Sequence, residues 1–309
     1  MHNKQIGKSL NTCLHRLFLS VIIRVMEKNN YLHLIDYALS EDLGEDGDVT
    51  SEAIFSMEKG KAVLLSKDTG VLAGSFLFSD VFARVDESVS FSFHKKDGDS
   101  LFPGDRVALL EGPVRSLLTA ERTALNFISL LSGIATRTAQ FVKAASDTGR
   151  AVILDTRKTI PGFRALSKYA VRMGGGHNHR MGLFDMVLIK DNHIDAAGGI
   201  TRAVTRIKER WNDRFRIEVE CRTLEEVKEA LSCGVQVIML DNMDPHEITA
   251  AVKVVDGKVK LEASGLMDLD KTGKISPLGI DYISSGMLTK SVTSFDFSLD
   301  ITSGDQSDE

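Results

Sequence analysis

Cysteine is scarce and scattered: Cys13, Cys221 and Cys233 are the only three in 309 residues, and no two form a CxxC pair. An odd, dispersed set fits reduced thiols in an intracellular compartment, here taken as the cytoplasm, better than a disulfide framework. Long apolar runs are missing from the N-terminal region as well, where the longest stretch, Leu17 to Ile23, is interrupted by Ser20. That is too short to span a bilayer. There is no excess of positive charge, since 38 Lys and Arg face 43 Asp and Glu for a net charge of -5. A nonspecific nucleic-acid binder needs a basic surface to displace counterions from phosphates, so that class is disfavoured. A nucleotide-binding glycine loop is lacking too: Gly174-Gly175-Gly176 has no strand before it and no GK[ST] after it. What remains, 43% hydrophobic and 26% charged residues, is ordinary globular composition, enough for one large domain or two.

The first 25 residues carry Lys4, Lys8, Arg16 and Arg24 and no acid. Such a basic, amphipathic start resembles an organelle transit peptide and makes a poor secretory signal, because no small-residue cleavage site follows the apolar run. A plain N-terminal helix, or translation from Met26, explains the segment more simply.

Further along, Lys61 to Glu111 reads as antiparallel strands separated by turns, with period-two alternation clearest at Val89 to Phe93. A helical pattern between Gly74 and Arg84 interrupts them, giving an α+β layer. Ser116 to Ala145 predicts a long helix with Gly133 as its kink or break. Beyond Gly149 the pattern becomes strand, polar residue, helix, repeated. Strand-like runs cover 151–156, 186–190, 216–220, 235–241, 259–264 and 280–285. The helices between them open on recognisable caps, Thr223 with Glu226 and Asp244 followed by Pro245. Repeated βα units imply parallel strands with right-handed crossovers, in a barrel or an open doubly wound sheet.

In either architecture the site lies at the carboxyl ends of the strands. The runs end in Thr156-Arg157-Lys158, Lys190, Glu220, Asp241, Ser264-Gly265 and Ser285-Gly286, which converge on one rim if the strands are neighbours. Residues 155–193 gather seven Lys or Arg against three Asp, a basic island in an acidic chain. Cations at a strand rim suit a polyanionic small molecule. Arg164, Lys168 and Arg172, near i, i+4 and i+8, read instead as an exposed charged helix face. Glu220 and Asp241, ending consecutive strands, can hold Mg2+ or grip a ribose diol, and an acid–base pair of the glycosidase kind is the alternative. The two Ser-Gly turns can cradle a phosphate. His177 and His179 raise the question of zinc, against which stand the neighbouring cations and the absence of nearby cysteine.

The runs Asp155 to Pro161, Lys168 to Val171, Gly174 to Gly176, His179-Arg180 and Leu188 to Ile194 closely resemble quinolinate phosphoribosyltransferases, the carboxylating nicotinate-nucleotide pyrophosphorylases. Glu41 to Gly44, Gly47 to Thr50, Glu121 to Asn126, Glu218 to Glu220, Leu240 to Asn242, Leu261 to Gly265 and Ile283 to Gly286 continue the likeness in the family's order, so that it spans roughly Tyr31 to Val292.

The resemblance implies an N-terminal open α/β sandwich (27–125) after an extension (1–26). A C-terminal incomplete parallel α/β barrel (126–292) and a tail (293–309) follow. It also implies a homodimer with shared active sites, with quinolinate and phosphoribosyl pyrophosphate as substrates and Mg2+ as cofactor. Thr156, Arg157, Lys158, His179, Arg180 and Lys190 would then line the substrate pocket, with Arg122 reaching in from the partner. Glu220 and Asp241 would hold ribose hydroxyls and Mg2+, and Ser264, Gly265, Ser285 and Gly286 would surround a phosphate. Lys158, Lys190, Glu220 and Asp241 would carry the catalysis. Lys290 stands where many relatives carry His, which keeps the cationic character. Two other readings stay open: a phosphoribosyltransferase of the same fold acting on nicotinate, and a non-catalytic anion-binding paralogue.

Overall fold

The computed structural model describes residues 31–303. The N-terminal extension, including Cys13, lies outside them. The chain divides into two compact units, the first built from residues up to Thr136 with Ala165–Gly174 and the segment from Thr293 onward, the second from Arg137–Arg164 and Gly175–Val292. Among the described residues, no helix is long and apolar enough to cross a membrane, and Cys221 and Cys233 are free thiols.

In the first unit, helices α1 (Leu32–Leu43) and α2 (Val49–Ile54) precede strand β1 (Lys59–Ser66) and the short β2 (Gly70–Val71). Helix α3 (Ser75–Val85) follows, then β3 (Ser90–Phe93), β4 (Ser100–Leu101) and β5 (Arg106–Pro113). Along β1, residues Ala62, Leu64 and Ser66 are buried and Lys59 and Lys61 exposed, the alternation of a sheet with one face on a core. Into that core α3 inserts Phe78 and Phe82, which meet Phe91 of β3. The first turn of α3 is tied by Asp97, whose carboxylate accepts the Gly74 and Ser75 N–H groups at 2.8 and 3.0 Å. Helix α4 (Val114–Ser146) runs 33 residues without a break at Gly133. Its buried stripe includes Leu117, Leu125, Ile128 and Leu131, spacings that keep one face inward and make a kink unnecessary.

The second unit supplies β6 (Val152–Leu154), then β7 (Val187–Ile189) with helices α6 (Asp191–Ala197) and α7 (Ile200–Trp211) behind it; α5 (Arg164–Met173) intervenes, belonging almost wholly to the first unit. The remaining βα units are β8 (Ile217–Cys221) with α8 (Leu224–Ser232), β9 (Val237–Asp241) with α9 (Pro245–Val255), β10 (Lys260–Ser264) with α10 (Leu269–Ile275), and β11 (Tyr282–Ser284) with α11 (Met287–Lys290). Strand β12 (Phe297–Ser303) returns to the first unit, whose antiparallel sheet has the order β12-β1-β5-β3. All six expected parallel strands are present in one sheet, ordered β6-β11-β10-β9-β8-β7. Glu218 on β8 and Glu262 on β10 flank β9, and their carboxylates come within 4.8 Å. The edge strands of this parallel sheet are β6 and β7, the arrangement of an incomplete barrel, as the family resemblance implies.

The cap at Asp244 forms as the sequence suggests: its carboxylate accepts the His246 and Glu247 N–H groups, each at 2.8 Å, while Glu247 answers to the Asp244 N–H. Asp244→Ala should therefore cost about 1 kcal/mol in denaturant unfolding while leaving catalytic rates unchanged.

One expectation fails here. The helix carrying Arg164, Lys168 and Arg172 is not a solvated charged face, because Lys168 is fully buried together with Ser167, Ala170 and Val171. Sequence spacing shows which side chains share a stripe; which stripe is covered depends on the element packed against it.

Candidate active site

A cavity of about 610 Å³ opens at the carboxyl ends of the parallel strands, and all its walls belong to the second unit. The loop after β6 contributes Thr156, Arg157 and Lys158, and the rims of β7, β8 and β9 add Lys190, Glu220 and Asp241. Ser264 and Gly265 follow β10, Gly286 follows β11, and His179 and Arg180 close the circle.

Short-range chemistry explains why these positions face inward. Asp155, fully buried at the end of β6, accepts the Asn178 amide at 2.6 Å and the His179 N–H at 2.9 Å. The segment ahead of them is held by His177, whose backbone pairs with β6 beside Leu154. So one buried carboxylate joins the two halves of the basic island. His179 Nδ1 accepts the Arg180 N–H at 2.7 Å, and Arg180 Nη1 donates to the Met186 carbonyl at 3.2 Å. Burial, and then the charge of Arg157, pull the Arg180 guanidinium below its ordinary value, though it stays charged at neutral pH. Lys158 is set by its backbone: its N–H donates to Thr156 Oγ1 at 3.0 Å, and its carbonyl accepts from Thr289 Oγ1 at 2.7 Å. The Lys190 ammonium sits 2.6 Å from Glu220 Oε2, a pair in which Lys190 is 45% exposed and Glu220 only 10%.

Two glycines lie at points of close approach. A Cβ on Gly286 would meet the Lys158 side chain at 2.9 Å. At Gly265, φ is +123° and a Cβ would lie 2.2 Å from Asn242 Oδ1, so only glycine fits. The backbone at this turn stays bare toward the cavity, and the Leu266 N–H donates to the Asn242 side chain at 3.3 Å.

Of the residues singled out from sequence, Thr156, Arg157, Lys158, His179, Arg180, Lys190, Glu220, Asp241, Ser264, Gly265 and Gly286 line this cavity, as does Lys290. Ser285 does not. Its hydroxyl donates to the Met267 carbonyl at 2.8 Å and accepts the Met287 N–H at 3.2 Å, and Ser284 takes the lining position instead. Side chains alternate along a strand, so a one-residue difference in where β11 ends decides which serine points in. Arg122 is exposed on α4, in the first unit, and is not among the lining residues. His177 and His179 do not combine; among the described residues, the group of three that could act as metal ligands is His179, Glu218 and Glu262. Glu218 and Glu262 were not singled out from sequence. Their signal was acids two residues before Glu220 and Ser264, hence on the same strand face.

An incomplete parallel α/β barrel whose strand rim presents arginines and lysines beside two carboxylates defines a class: enzymes that bind small polyanions. Comparison with known proteins makes the assignment specific. Family models described as "Quinolinate phosphoribosyl transferase, N-terminal domain" and "C-terminal domain" match residues 48–132 and 134–300. The chain belongs to the quinolinate phosphoribosyl transferase family. A probable nicotinate-nucleotide pyrophosphorylase [carboxylating] of Bacillus subtilis is 43% identical over 89% of this chain and 95% of its own length. A chloroplastic nicotinate-nucleotide pyrophosphorylase [carboxylating] of Arabidopsis thaliana is 45% identical over 87% of this chain and 82% of its own. The crystal structure of NadC from Streptococcus pyogenes superposes with a TM-score of 0.86 at 42% identity, covering 90% of this chain and 98% of that one.

Proposed function

We propose that this protein transfers the phosphoribosyl group of phosphoribosyl pyrophosphate to quinolinate with decarboxylation, yielding nicotinate mononucleotide, pyrophosphate and carbon dioxide for NAD biosynthesis. The observation that carries the reading is the cavity's cationic wall of Arg157, Lys158, Arg180, Lys190 and Lys290, in a chain of net charge -5. Quinolinate brings two adjacent carboxylates, and phosphoribosyl pyrophosphate brings phosphates. Arg forks suit the former and Lys point charges the latter.

The bond from the pyridine nitrogen to ribose C1 forms as the bond from C1 to pyrophosphate oxygen breaks. Positive charge developing on the ribose falls near Glu220 and Asp241, and the work of the site is positional and electrostatic. Once quaternised, the ring nitrogen stabilises with its positive charge the electron pair left on the neighbouring ring carbon when the 2-carboxylate leaves as carbon dioxide, and that carbon then takes a proton. Magnesium suits the two carboxylates as a hard cation preferring oxygen. Asp241 and Glu220, the latter already paired with Lys190 at 2.6 Å, are the residues that would hold the ion, which would arrive with phosphoribosyl pyrophosphate and offset its negative charge. The working unit is a homodimer in which Arg122 of one copy completes the cavity of the other. The cytoplasm, where reduced Cys221 and Cys233 persist, is its compartment.

The test is to supply magnesium and phosphoribosyl pyrophosphate with carboxyl-labelled quinolinate or nicotinate. Labelled carbon dioxide should be released from quinolinate, at about 10²-fold higher kcat/KM than any turnover of nicotinate, because one carboxylate–cation contact is missing from the latter. Equal use of nicotinate would assign the protein to the one-carboxylate acceptor instead, and inactivity with both would favour an anion-binding role.

A further inference from the structure

Among the lysines of the cavity, Lys158 stands on backbone of no regular structure. The chain leaves β6 at Leu154 and does not enter α5 until Arg164, so the place of the ammonium depends on what fastens the loop between them. Two of its bonds are internal, Lys158 N–H to Thr156 Oγ1 and Thr159 N–H to the Arg157 carbonyl, each at 3.0 Å. Arg164 ties its far end, with Nε donating to Thr159 Oγ1 at 3.2 Å. At Lys158 itself the hold comes from another βα unit: Thr289 Oγ1, on α11, donates to the Lys158 carbonyl at 2.7 Å.

Thr289 is buried, at a place where valine would have the same shape and no polar atom to satisfy. Its hydroxyl is therefore to be read through the bond it makes. Helix α11 is a firm base for that bond. The Ser285 N–H donates to the Leu154 carbonyl of β6 at 3.1 Å, and the Ser285 hydroxyl joins the Met267 carbonyl to the Met287 N–H. Gly286 and Thr289, three residues apart, share one face of this turn. That face meets Lys158 twice: the glycine leaves room for its stem, which a Cβ would approach to 2.9 Å, and the threonine takes its carbonyl. Lys290, next in the chain, lines the same cavity, whereas Thr289 does not.

We propose that Thr289 is a positioning residue: by holding the Lys158 carbonyl it fixes where the Lys158 ammonium meets an anion in the cavity, and it locks that lysine to the helix carrying Lys290. It acts through Lys158 and makes no contact of its own with substrate. The choice of anions rests on the phosphoribosyl-transfer reading above.

A double-mutant cycle tests the role. Thr289→Val removes the hydroxyl and keeps the shape, and Thr289→Ser keeps the hydroxyl. Thr289→Val should lose about tenfold or more in kcat/KM for carbon dioxide release from quinolinate, while Thr289→Ser stays within about threefold of wild type. In a Lys158→Met background the same Thr289→Val change should cost less than about twofold, because no ammonium is left to place. Melting temperature should fall equally in both backgrounds, since the carbonyl loses its partner in each. A kinetic loss seen only where the lysine is present is then not a loss of stability. Binding gives a second readout: titrated separately with quinolinate and with pyrophosphate, Thr289→Val should reproduce the pattern of Lys158→Met, weakening the anion or anions that Lys158→Met weakens. If Thr289→Val does not fold, Thr289→Ala takes its place at every step. Equal kinetic losses in the two backgrounds, Thr289→Val kinetics near wild type, a Thr289→Ser no better than Thr289→Val, or a different binding pattern would each overturn the proposal. Wild-type protein that releases no carbon dioxide would instead sink the functional reading, and the cycle would then be decided by the two anion titrations.

Discussion

Lys190→Met and Lys158→Met are each expected to lose about 10²-fold or more in kcat/KM for quinolinate-dependent carbon dioxide release, with melting temperature unchanged in Lys158→Met and lowered in Lys190→Met, which strips the largely buried Glu220 of its cation. Methionine keeps most of the apolar stem, so packing changes little and the missing ammonium is what the assay reads. Two decades correspond to about 2.7 kcal/mol of transition-state stabilisation. A unit charge roughly 4 Å from a bound phosphate or carboxylate is worth about 4 kcal/mol at an effective dielectric near 20, so one ammonium is sufficient to account for the loss. Geometry singles out these two lysines. Lys190 is half-exposed toward the cavity and already engages Glu220, and the Lys158 stem lies against Gly286, where any Cβ would displace it. Removing Lys190 also leaves the largely buried Glu220 without its cation. Both substrates should therefore bind less well in Lys190→Met, whereas in Lys158→Met the phosphoribosyl pyrophosphate constants need not follow those of quinolinate. Kinetics near wild type in either variant, with the fold intact, would remove that lysine from the catalytic set.

The rim of the cavity was legible because each parallel strand ends in a polar residue where an apolar run stops, as at Lys190, Glu220 and Asp241, and parallel order brings those ends together. What lay one layer deeper was not. Glu218 and Glu262 are ionisable residues inside largely apolar strands, and only the strand order, which sets β8 and β10 on either side of β9, and the convergence of their side chains show that they share a site with His179. Ser284 and Ser285 show the other limit. Both serines suit a phosphate turn, and the last ladder residue of β11, not composition, selects Ser284. Lys168 was misplaced on an exposed face for a related reason, since its i, i+4 neighbours define a stripe but not what covers it. Arg122 remains a special case, because its assignment to the site came from resemblance, and the cavity wall within one chain does not include it.

Co-expressing Arg122→Ala with Lys190→Ala, each inactive alone, should restore about a quarter of wild-type activity if sites are shared across a twofold dimer. Arg122 motivates the test by its position: it is exposed on α4, while its neighbours Thr123, Ala124 and Leu125 are buried in the first unit. Its guanidinium is therefore presented outward, available to a second copy, and the cavity it would serve already holds one arginine pair, Arg157 and Arg180, for two substrate carboxylates. When chains assort randomly, half of the dimers are mixed. In a mixed dimer, the cavity of the Arg122→Ala chain keeps its own Lys190 and receives Arg122 from its partner, so it is intact; the other cavity carries both lesions. One working site in two, in half the dimers, gives the quarter. If Arg122 serves its own chain, every cavity in every dimer carries one lesion, and no activity returns. Differential tags on the two chains, with sequential capture, isolate the mixed species, which should then show half of wild-type activity per dimer. Mixed dimers that form and stay inactive would confine Arg122 to its own subunit and overturn the shared-site reading.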